Sequence, residues 1–322
     1  MIDTIIINLY SNTLGKIPLN GNCVIENTDK SNNPKVRVVK WSIRNMAITY
    51  TKVEPHLFKI KLVGSLHKYL KEDNLCYFNY KDLKKALQLL SEETGLALDT
   101  GVIKRIDFGA NIPVSKPVRL FNFMLKTSSS SYKKDTYNNC DTVTFRKDHI
   151  ALSFYNKVRE LDKATKIRYR RSLLKNKYVI RYELKLFKRL RKSLGLSDTD
   201  LLVSDLIESK DIYKRILKLW HNEYNSIVKV SEKLIFRSST HFREFLELSG
   251  IRALGGLDKV IEMLGIWSQK QNHTSQTKYR IKTKLIKISK HNLKTDHLIL
   301  ELDKKIKNFE KGKYKFCPLS DF

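Results

Sequence analysis

Cysteine is scarce in this chain of 322 residues, and the four cysteines lie far apart. They are Cys23, Cys76, Cys140 and Cys317. No two of them form a Cys-x-x-Cys pair, so their spacing excludes a cysteine zinc site and the dense disulfide framework of a small secreted domain. We interpret them as reduced thiols, which is typical of a cytoplasmic protein.

Long apolar runs are also missing. No stretch of the sequence approaches the run of about 18 apolar residues that a membrane-spanning helix needs. The start of the chain has an acid at position 3, no basic segment and only a short apolar run, which does not fit a signal peptide. We therefore expect a cytoplasmic protein with no membrane partner.

Acidic residues are too few to balance the basic ones. The chain has 62 Lys and Arg against 33 Asp and Glu, a formal net charge of +29. Such an excess destabilises a compact state through self-repulsion unless a polyanion neutralises it. An anionic membrane would favour one discrete basic segment, whereas this charge is spread along the chain and is densest at residues 145–196. The charge therefore predicts a nucleic-acid partner.

The hydrophobic pattern alternates between strand and helix in the first half of the chain and becomes helical from about residue 187. Strands are predicted at 3–10, 36–51, 57–64, 102–108, 141–147, 149–158 and 178–186. A helix is expected between the N-cap residue Asn79 and Gly95, and another at 117–126. Gly109 and Pro113 are expected to end the strand at 102–108. The pattern predicts an α+β fold, an antiparallel sheet with helices on one face.

The length suits two domains. We assign residues 1–196 to the mixed first domain and 197–322 to a helical, basic second region that binds DNA or has an accessory role. In the second region a helix-turn-helix reader and plain bundle packing both fit the pattern. Residues 278–290 fit either a strand or a helix, and their lysines make them a candidate phosphate-binding strip.

Three of the predicted strands carry polar residues on one face, since successive side chains of a strand point to opposite sides of its sheet. These polar residues are Arg105, Asp107, Tyr155, Lys157, Arg181, Glu183 and Lys185. If the strands at 102–108, 149–158 and 178–186 share a sheet, its polar face combines carboxylates, cations and a phenol.

Such a face can carry phosphodiester chemistry. A free tyrosine has a pKa near 10, so a cation or metal must activate Tyr155 as a nucleophile. Mg²⁺ or Mn²⁺ held by Asp107 and Glu183 would stabilise the charge that develops on phosphorus. Lys157 and Arg181 would add to that stabilisation. The alternative is that Tyr155 packs and that the charged residues form cross-strand ion pairs worth about 0–1 kcal/mol each.

At this point the chain resembles the replication initiators of the filamentous-phage gene II/X type, found in phages and small rolling-circle plasmids. The likeness covers roughly residues 1–200 and rests on five segments in order. They are the opening Met-Ile-Asp, residues 59–70, Lys-Arg-Ile-Asp at 104–107, Phe-Tyr-Asn-Lys-Val-Arg-Glu at 154–160, and Val-Ile-Arg-Tyr-Glu-Leu-Lys at 179–185, continued by Lys188 to Gly195.

The resemblance implies a nicking enzyme whose nucleophile is the tyrosine of a Tyr-x-Lys element, here Tyr155 with Lys157. Such an enzyme cuts one strand at the double-strand origin, keeps the 5′-phosphate as a phosphotyrosine ester and frees a 3′-hydroxyl for the host polymerase. The implied fold is a sheet of the type seen in HUH endonucleases. None of the eight histidines here forms a His-x-His motif. His67 is the nearest candidate as a third metal ligand.

The predicted DNA contacts are basic residues within or near these segments. They are Arg105, Arg159, Arg168, Arg170, Arg171 and Lys185. The predicted partners are the replication origin, single-stranded or cruciform, and a host helicase or polymerase in a bacterial cytoplasm. Two alternatives stay open: a relaxase- or transposase-like nickase, and a non-catalytic basic DNA- or RNA-binding regulator.

Overall fold

The structure of the protein is a computed structural model. It describes residues 1–11, 24–27, 37–54, 57–126, 133–163, 174, 177–229, 243, 246–247, 249–251, 253–270, 274–290 and 297–313. The chain divides into two compact units: residues 1–228 together with 301–322, and residues 229–300. This division differs from the predicted boundary at residue 196, because helices after that point pack on the sheet of the first unit.

A large antiparallel sheet forms the first unit. Its strands are β1 (Ile2–Ser11), β2 (Val24–Asn27), β3 (Arg37–Ile43), β4 (Met46–Glu54), β5 (Leu57–Ser65), β6 (Val102–Val114), β8 (Lys133–Tyr137), β9 (Thr142–Arg146), β10 (Ile150–Asn156), β11 (Tyr178–Leu186) and β12 (Leu201–Leu202). Their order is β2-β3-β4-β5-β1-β6-β11-β10-β9-β8, and β12 also pairs with β6. A separate two-stranded sheet joins β7 (Leu125–Lys126) to β13 (Val228–Lys229). The antiparallel sheet of the predicted α+β fold is confirmed.

The helices are α1 (Leu66–Lys71), α2 (Tyr80–Thr94), α3 (Val118–Met124), α4 (Lys157–Lys163), α5 (Leu190–Ser193), α6 (Val203–Glu208), α7 (Lys210–Asn225), α8 (Leu257–Lys270), α9 (Ser275–Lys290) and α10 (His297–Glu310), with a 3-10 turn at Leu98–Thr100. Within the described ranges, none of these helices is both long and apolar enough to cross a membrane.

Helix α2 begins and ends where the sequence predicts. The Asn79 side chain accepts hydrogen bonds from the backbone N–H groups of Lys81 and Asp82, at 2.7 and 3.1 Å. The Asp82 carboxylate accepts the N–H of Asn79 in return, at 2.9 Å, which completes a capping box. At the other end Gly95 has a φ of 67° and donates its N–H to the Ser91 carbonyl.

Aromatic side chains build the core between the sheet and α7. Phe154 and Tyr182, on neighbouring strands, stack with ring centroids 4.4 Å apart. Tyr182 also lies 4.7 Å from Trp220 of α7 and donates its hydroxyl hydrogen to the Trp220 carbonyl at 2.8 Å. These three side chains are fully buried, so they bring a large apolar area out of water and fix β10 and β11 against the helix.

Two strand predictions need correction. The segment predicted as one strand at 36–51 is a hairpin, β3 and β4, which turns at Arg44 and Asn45. Strand β6 continues to Val114 and passes through Gly109 and Pro113, which were expected to end it. β6 continues because its second half pairs with β11 from Ile106 to Val114.

Helices lie on both faces of the sheet, so the prediction of helices on one face is wrong. Helix α7 covers the face of Tyr182. Val179 lies two residues before Arg181 and therefore shares the face of Arg181, which is opposite to the face of Tyr182. Val179 packs with Leu161 of α4 and with Leu75. Most of the polar face is thus covered, and Arg105, Tyr155 and Lys185 are its partly exposed residues.

The second unit, residues 229–300, contains α8 and α9 among its described residues. Buried Ile251 packs with Leu257 and Val260 and with Leu285 of α9. Residues 278–290, predicted as strand or helix, are helical. The spacing of Phe242, Phe245, Leu246 and Leu248 in the sequence also predicts a helix, most of which lies outside the described residues.

Candidate active site

Three adjacent strands bring the predicted polar residues to one face. In the sheet β11 lies between β6 and β10. Tyr155 of β10 is opposite Arg181 of β11, and Arg181 is opposite Asn111 of β6. In the same way Lys185 is opposite Asp107. Because directly paired residues point to the same side of a sheet, the predicted polar residues of these three strands lie on one face, apart from Lys157, which follows the end of β10.

The Tyr155 phenol is hydrogen-bonded to a carboxylate. Its hydroxyl donates to Oε1 of Glu183 at 2.9 Å, and the side chain is partly exposed. Burial raises the pKa of Tyr155 well above its ordinary value, and the negative charge of Glu183 adds to this effect. The phenol of the free protein is therefore protonated at neutral pH, with a proton acceptor already in place.

Arg181 connects this carboxylate to the interior of the protein. Its Nε donates to Glu183 Oε1 at 2.6 Å, and its Nη1 donates to Asn111 Oδ1 at 3.1 Å. Its Nη2 donates to the carboxylate of Asp3. Arg181 is completely buried. Since its donors are committed to protein groups, Arg181 is placed to orient Glu183 rather than to contact a substrate phosphate.

Asp3 is the second carboxylate around Arg181, and no role in the site was predicted for it. It also accepts hydrogen bonds from the Ser65 hydroxyl and, at 2.9 Å, from Asn74 Nδ2. Burial raises the pKa of Asp3, but the Arg181 charge and these hydrogen bonds outweigh burial and lower it below its ordinary value. The available sequence signal was an acid between the two buried isoleucines Ile2 and Ile5 of β1.

Gly109 leaves space for the guanidinium group of Arg181. A Cβ at this position would lie 2.8 Å from Glu183 Cγ and 3.3 Å from Arg181 Nη2. Glu183 is directly opposite Gly109 in the ladder. Because Gly109 has no side chain, Arg181 and Glu183 can lie close to the backbone of β6 at this position. The glycine is therefore needed for packing and does not mark the end of the strand.

The position of Lys157 differs from the predicted one. Strand β10 ends at Asn156, and Lys157 is the first residue of α4 rather than the last polar residue of the strand. Its side chain is buried, and its Nζ lies 2.5 Å from Glu160 Oε2. Burial, followed by the Arg181 charge, lowers the pKa of Lys157. Lys157 thus contributes a buried cation near Arg181.

Two of the three predicted metal ligands, Asp107 and Glu183, already contact cationic side chains of the protein. Both oxygens of Asp107 accept hydrogen bonds from Arg105, at 2.8 Å each. Glu183 accepts from Arg181 and Tyr155, and its Oε2 is 3.5 Å from Lys185. Within the described ranges no group of three or more His, Cys, Asp or Glu side chains is placed to hold a metal ion. These residues do not fit a metal centre in this arrangement.

His67, the third predicted ligand, is a fully buried imidazole in α1. Neither ring nitrogen has a hydrogen-bond partner among the described residues. The ring lies 4.9 Å from the ring of Phe78. Burial lowers the pKa of His67 to about 3, against an ordinary value of 6.5. The imidazole is therefore neutral, as a core histidine or a metal ligand would be.

A pH-dependent stability follows from His67. Between about pH 6.5 and pH 3 the unfolded chain binds a proton that the folded chain excludes, so stability falls as the pH falls through this window. Each pH unit costs about 1.4 kcal/mol. We expect His67→Leu to remove this part of the dependence, measured as the difference in urea unfolding between variant and wild type at neutral and mildly acidic pH. A variant with an unchanged pH profile would contradict the neutral buried imidazole.

The other predicted DNA contacts fall into three groups. Arg105 and Lys185 are partly exposed on the polar face, near Asp107 and Glu183. Arg159 lies on α4, where it pairs with Asp141. The remaining three, Arg168, Arg170 and Arg171, lie outside the described residues.

The cysteines also bear on the sequence prediction. Cys140 has a free thiol, whereas Cys76 is disulfide-bonded. The prediction that all four cysteines are reduced is therefore wrong for Cys76.

Comparison with known proteins identifies the family. The model of the N-terminal part of the phage gene II replication-associated protein matches residues 1–205. The chain belongs to this family. No curated protein matches it, and neither does any solved structure. The matched part of this gene II-family chain contains every strand of the polar face, and it confirms the predicted likeness to the filamentous-phage gene II-type replication initiators. The protein is thus a replication-associated protein.

Proposed function

We propose that the protein initiates rolling-circle replication by nicking and rejoining one DNA strand at its origin through a phosphotyrosine intermediate. One observation carries the proposal. In a replication-associated chain, Tyr155 donates its hydroxyl hydrogen to a buried carboxylate on a partly open polar face. A nucleophile within hydrogen-bond reach of a base that a third group orients is the arrangement of nucleophilic catalysis.

The proposed step is an in-line displacement at phosphorus. The Tyr155 oxygen forms a bond to the scissile phosphorus while the bond from phosphorus to the 3′-oxygen breaks. The phenol proton passes to Glu183, and the departing 3′-oxygen takes a proton from water. The 5′-phosphate stays on Tyr155, and the free 3′-hydroxyl primes the host polymerase. Later attack of a 3′-hydroxyl on the ester restores a phosphodiester and the phenol.

The pKa values explain why Glu183 acts during the reaction and not before it. Burial raises the pKa of Tyr155. Burial also acts to raise the pKa of Glu183, but the Arg181 charge opposes it and the net shift is downward, so proton transfer is unfavourable in the free protein. Attack on phosphorus makes the phenol more acidic, and a general base acts at that stage. In this proposal Glu183 is the base, and Arg181 is the residue that positions it.

A sheet of the HUH-endonuclease type is supported by antiparallel strands that place Tyr155 on a polar face. Origin DNA, single-stranded or cruciform, would lie across this face, where Arg105 and Lys185 are the partly exposed cations. A host helicase would be expected to unwind the strand ahead of the nick.

The second unit is proposed to add duplex binding. Helix α9 has six basic residues and no acidic residue between positions 275 and 290. Four of the cations, Lys278, Arg280, Lys282 and Lys284, are exposed. Affinity that depends on phosphate contacts of this kind decreases steeply with salt.

A plasmid-nicking assay tests the proposed function. Purified protein, a supercoiled plasmid carrying its own origin and Mn²⁺ are expected to give open circles with protein on the 5′ end. The requirement for Mg²⁺ or Mn²⁺ stays a prediction: EDTA should stop nicking and added Mn²⁺ should restore it. Complete absence of nicking on the protein's own origin would favour the DNA-binding regulator.

The role of Glu183 has its own test. We expect Glu183→Gln to slow formation of the covalent adduct by about 10²- to 10⁴-fold, because the amide cannot take the phenol proton. The measurement is single-turnover adduct formation at saturating DNA. A matched variant is Glu160→Gln, which removes a carboxylate that is hydrogen-bonded to Lys157 rather than to Tyr155. Equal rates for Glu183→Gln and wild type would exclude the general-base role.

A further inference from the structure

A surface cavity of about 270 Å³ lies at the end of β10, within the first unit. It is lined by Pro117, Val118, Arg119, Asn138, Asn139, Asp141, Asn156, Arg159 and Tyr178. This cavity has no role in the proposed nicking step. Its lining combines two guanidinium groups, one carboxylate, three side-chain amides and one phenol ring, and the carboxylate of Asp141 is paired with Arg159.

Several of these groups have unused hydrogen-bonding capacity. Arg119 is exposed and has no ion-pair partner among the described residues. Asn138 and Asn139 are also exposed, and their amide groups make no side-chain hydrogen bond within the described part of the chain. Asn156 uses its Oδ1 to accept the N–H of Arg159 at 3.2 Å. Donors and acceptors are thus available to a ligand.

An exposed aromatic ring completes the cavity. Tyr178, the first residue of β11, is 42% exposed, whereas the other tyrosine of this strand, Tyr182, is fully buried. The partly exposed ring lines the cavity together with the charged and amide groups. A planar, apolar surface next to cations is what the bases of single-stranded nucleic acid stack on.

The wall of the cavity is held to the strand that carries the nucleophile. Asn122 Nδ2 donates to the carbonyl of Cys140 at 2.8 Å, and the N–H of Asn156 donates to the carbonyl of Asp141 at 2.9 Å. Asn138, Asn139 and Cys140 all have φ between 50° and 66°. Asparagine tolerates this left-handed backbone better than most residues. The turn between β8 and β9 is therefore fixed beside residue 156.

We propose that this cavity binds one nucleotide of the DNA strand that is nicked, a few positions away from the phosphate at Tyr155. The base stacks on Tyr178, the asparagine amides contact the base edge, and Arg119 contacts the phosphate. Asparagine amides can pair with base edges in this way. The proposal deepens the proposed function, because it gives the nicked strand a second point of attachment at the end of β10, one residue beyond Tyr155 and on the other face of the sheet.

Single-stranded DNA fits these groups better than a duplex does. In a duplex the stacked faces of the bases are covered, so an exposed tyrosine face has nothing to stack on. A single nucleotide presents a base face, a base edge and a phosphate together. Those are the three groups that the aromatic, amide and guanidinium side chains of the cavity match.

The test measures binding without nicking. Full-length protein carrying Tyr155→Phe is titrated against a fluorescent single-stranded oligonucleotide of its own origin, with anisotropy as the readout. We expect Arg119→Ala and Tyr178→Ala each to weaken binding about 5- to 100-fold, since stacking contributes about 1–3 kcal/mol per base. Lys84→Ala and Tyr10→Ala are matched controls, because both residues are exposed and outside the cavity.

A crosslink identifies the contact directly. An oligonucleotide with 5-iodouracil at successive positions is irradiated with the protein, and the crosslinked peptide is identified by mass spectrometry. We expect one position to crosslink to Tyr178. Unchanged affinity in both cavity variants, or crosslinks only to other peptides, would overturn the proposal. Because anisotropy and crosslinking measure binding and not nicking, these outcomes are independent of whether the wild type nicks its origin.

Discussion

Tyr155→Phe is expected to abolish the covalent protein–DNA adduct and to reduce plasmid nicking by about 10³-fold or more, as removal of a nucleophile does in other enzymes. In the proposed mechanism the phenol oxygen is the atom that bonds to phosphorus. Phenylalanine keeps the ring and loses only that oxygen and its hydrogen bond to Glu183. The measurement is open-circle formation from supercoiled plasmid, with the adduct detected by denaturing gel electrophoresis.

Two controls separate chemistry from folding and binding in that experiment. The affinity of Tyr155→Phe for origin DNA should stay within a few-fold of wild type, because Arg105 and Lys185 are untouched. Tyr178→Phe removes a phenolic oxygen on the neighbouring strand and should still form the adduct. A Tyr155→Phe protein that nicks at the wild-type rate would show that another residue is the nucleophile.

Arg181→Met is expected to destabilise the protein by about 3–5 kcal/mol. Removing one partner of a buried ion pair leaves the other charge without compensation. Here the substitution would leave two buried carboxylates, those of Asp3 and Glu183, in contact with no guanidinium. Urea unfolding followed by circular dichroism measures the loss as a lower midpoint at unchanged slope.

Arg215→Met is the matched control for Arg181→Met. Arg215 pairs with Asp211 one turn away on α7, and both side chains are largely exposed. An exposed pair of this type contributes about 0–1 kcal/mol. A similar small effect for Arg181→Met would contradict the buried network. Acidification should also destabilise the protein, as the loss of Arg181 does. Burial acts to raise the pKa of Asp3 and of Glu183, but the Arg181 charge opposes it and both pKa values are lowered.

The sign of that acid effect follows from the direction of the shifts. A carboxyl group whose pKa is lowered on folding stabilises the native state above its unfolded pKa. This stabilisation is lost as the pH falls through the unfolded and then the folded value. Arg181→Met should therefore be less acid-sensitive than wild type, although it is less stable at neutral pH.

The polar face could be predicted because it depends on local rules. Side-chain alternation along 102–108, 149–158 and 178–186 placed the polar residues of each strand together, and the order β6-β11-β10 joins them. The cap at Asn79 and the end at Gly95 follow from local backbone chemistry in the same way. These features need only the residues within a few positions of one another.

The buried network could not be predicted, since it depends on contacts between distant parts of the chain. Asp3 and Arg181 are separated by 178 positions, and Asn74 and Asp3 by 71. Alternation shows which side of a strand a residue occupies, but it does not show which residue of another strand faces it. Gly109 was misleading for the same reason: a glycine there indicates a strand end, whereas tertiary packing needs its missing side chain.

The surroundings of the predicted metal ligands could not be derived from local rules either. Alternation correctly placed Asp107 and Glu183 on one face, but it could not show that Arg105 and Arg181 hold them. His67 was selected for its residue type, and the structure places it as a neutral buried ring beside Phe78. Whether nicking requires Mg²⁺ or Mn²⁺ is decided by the EDTA experiment.

The most direct test of Tyr155 as the nucleophile is to map the covalent adduct. Wild-type protein is incubated with an origin oligonucleotide carrying an internal radiolabelled scissile phosphate, digested with protease and nuclease, and sequenced by mass spectrometry. The expected product is a single peptide with the 5′-phosphate on Tyr155. Label on another tyrosine, or label that no peptide retains, would contradict the proposed mechanism.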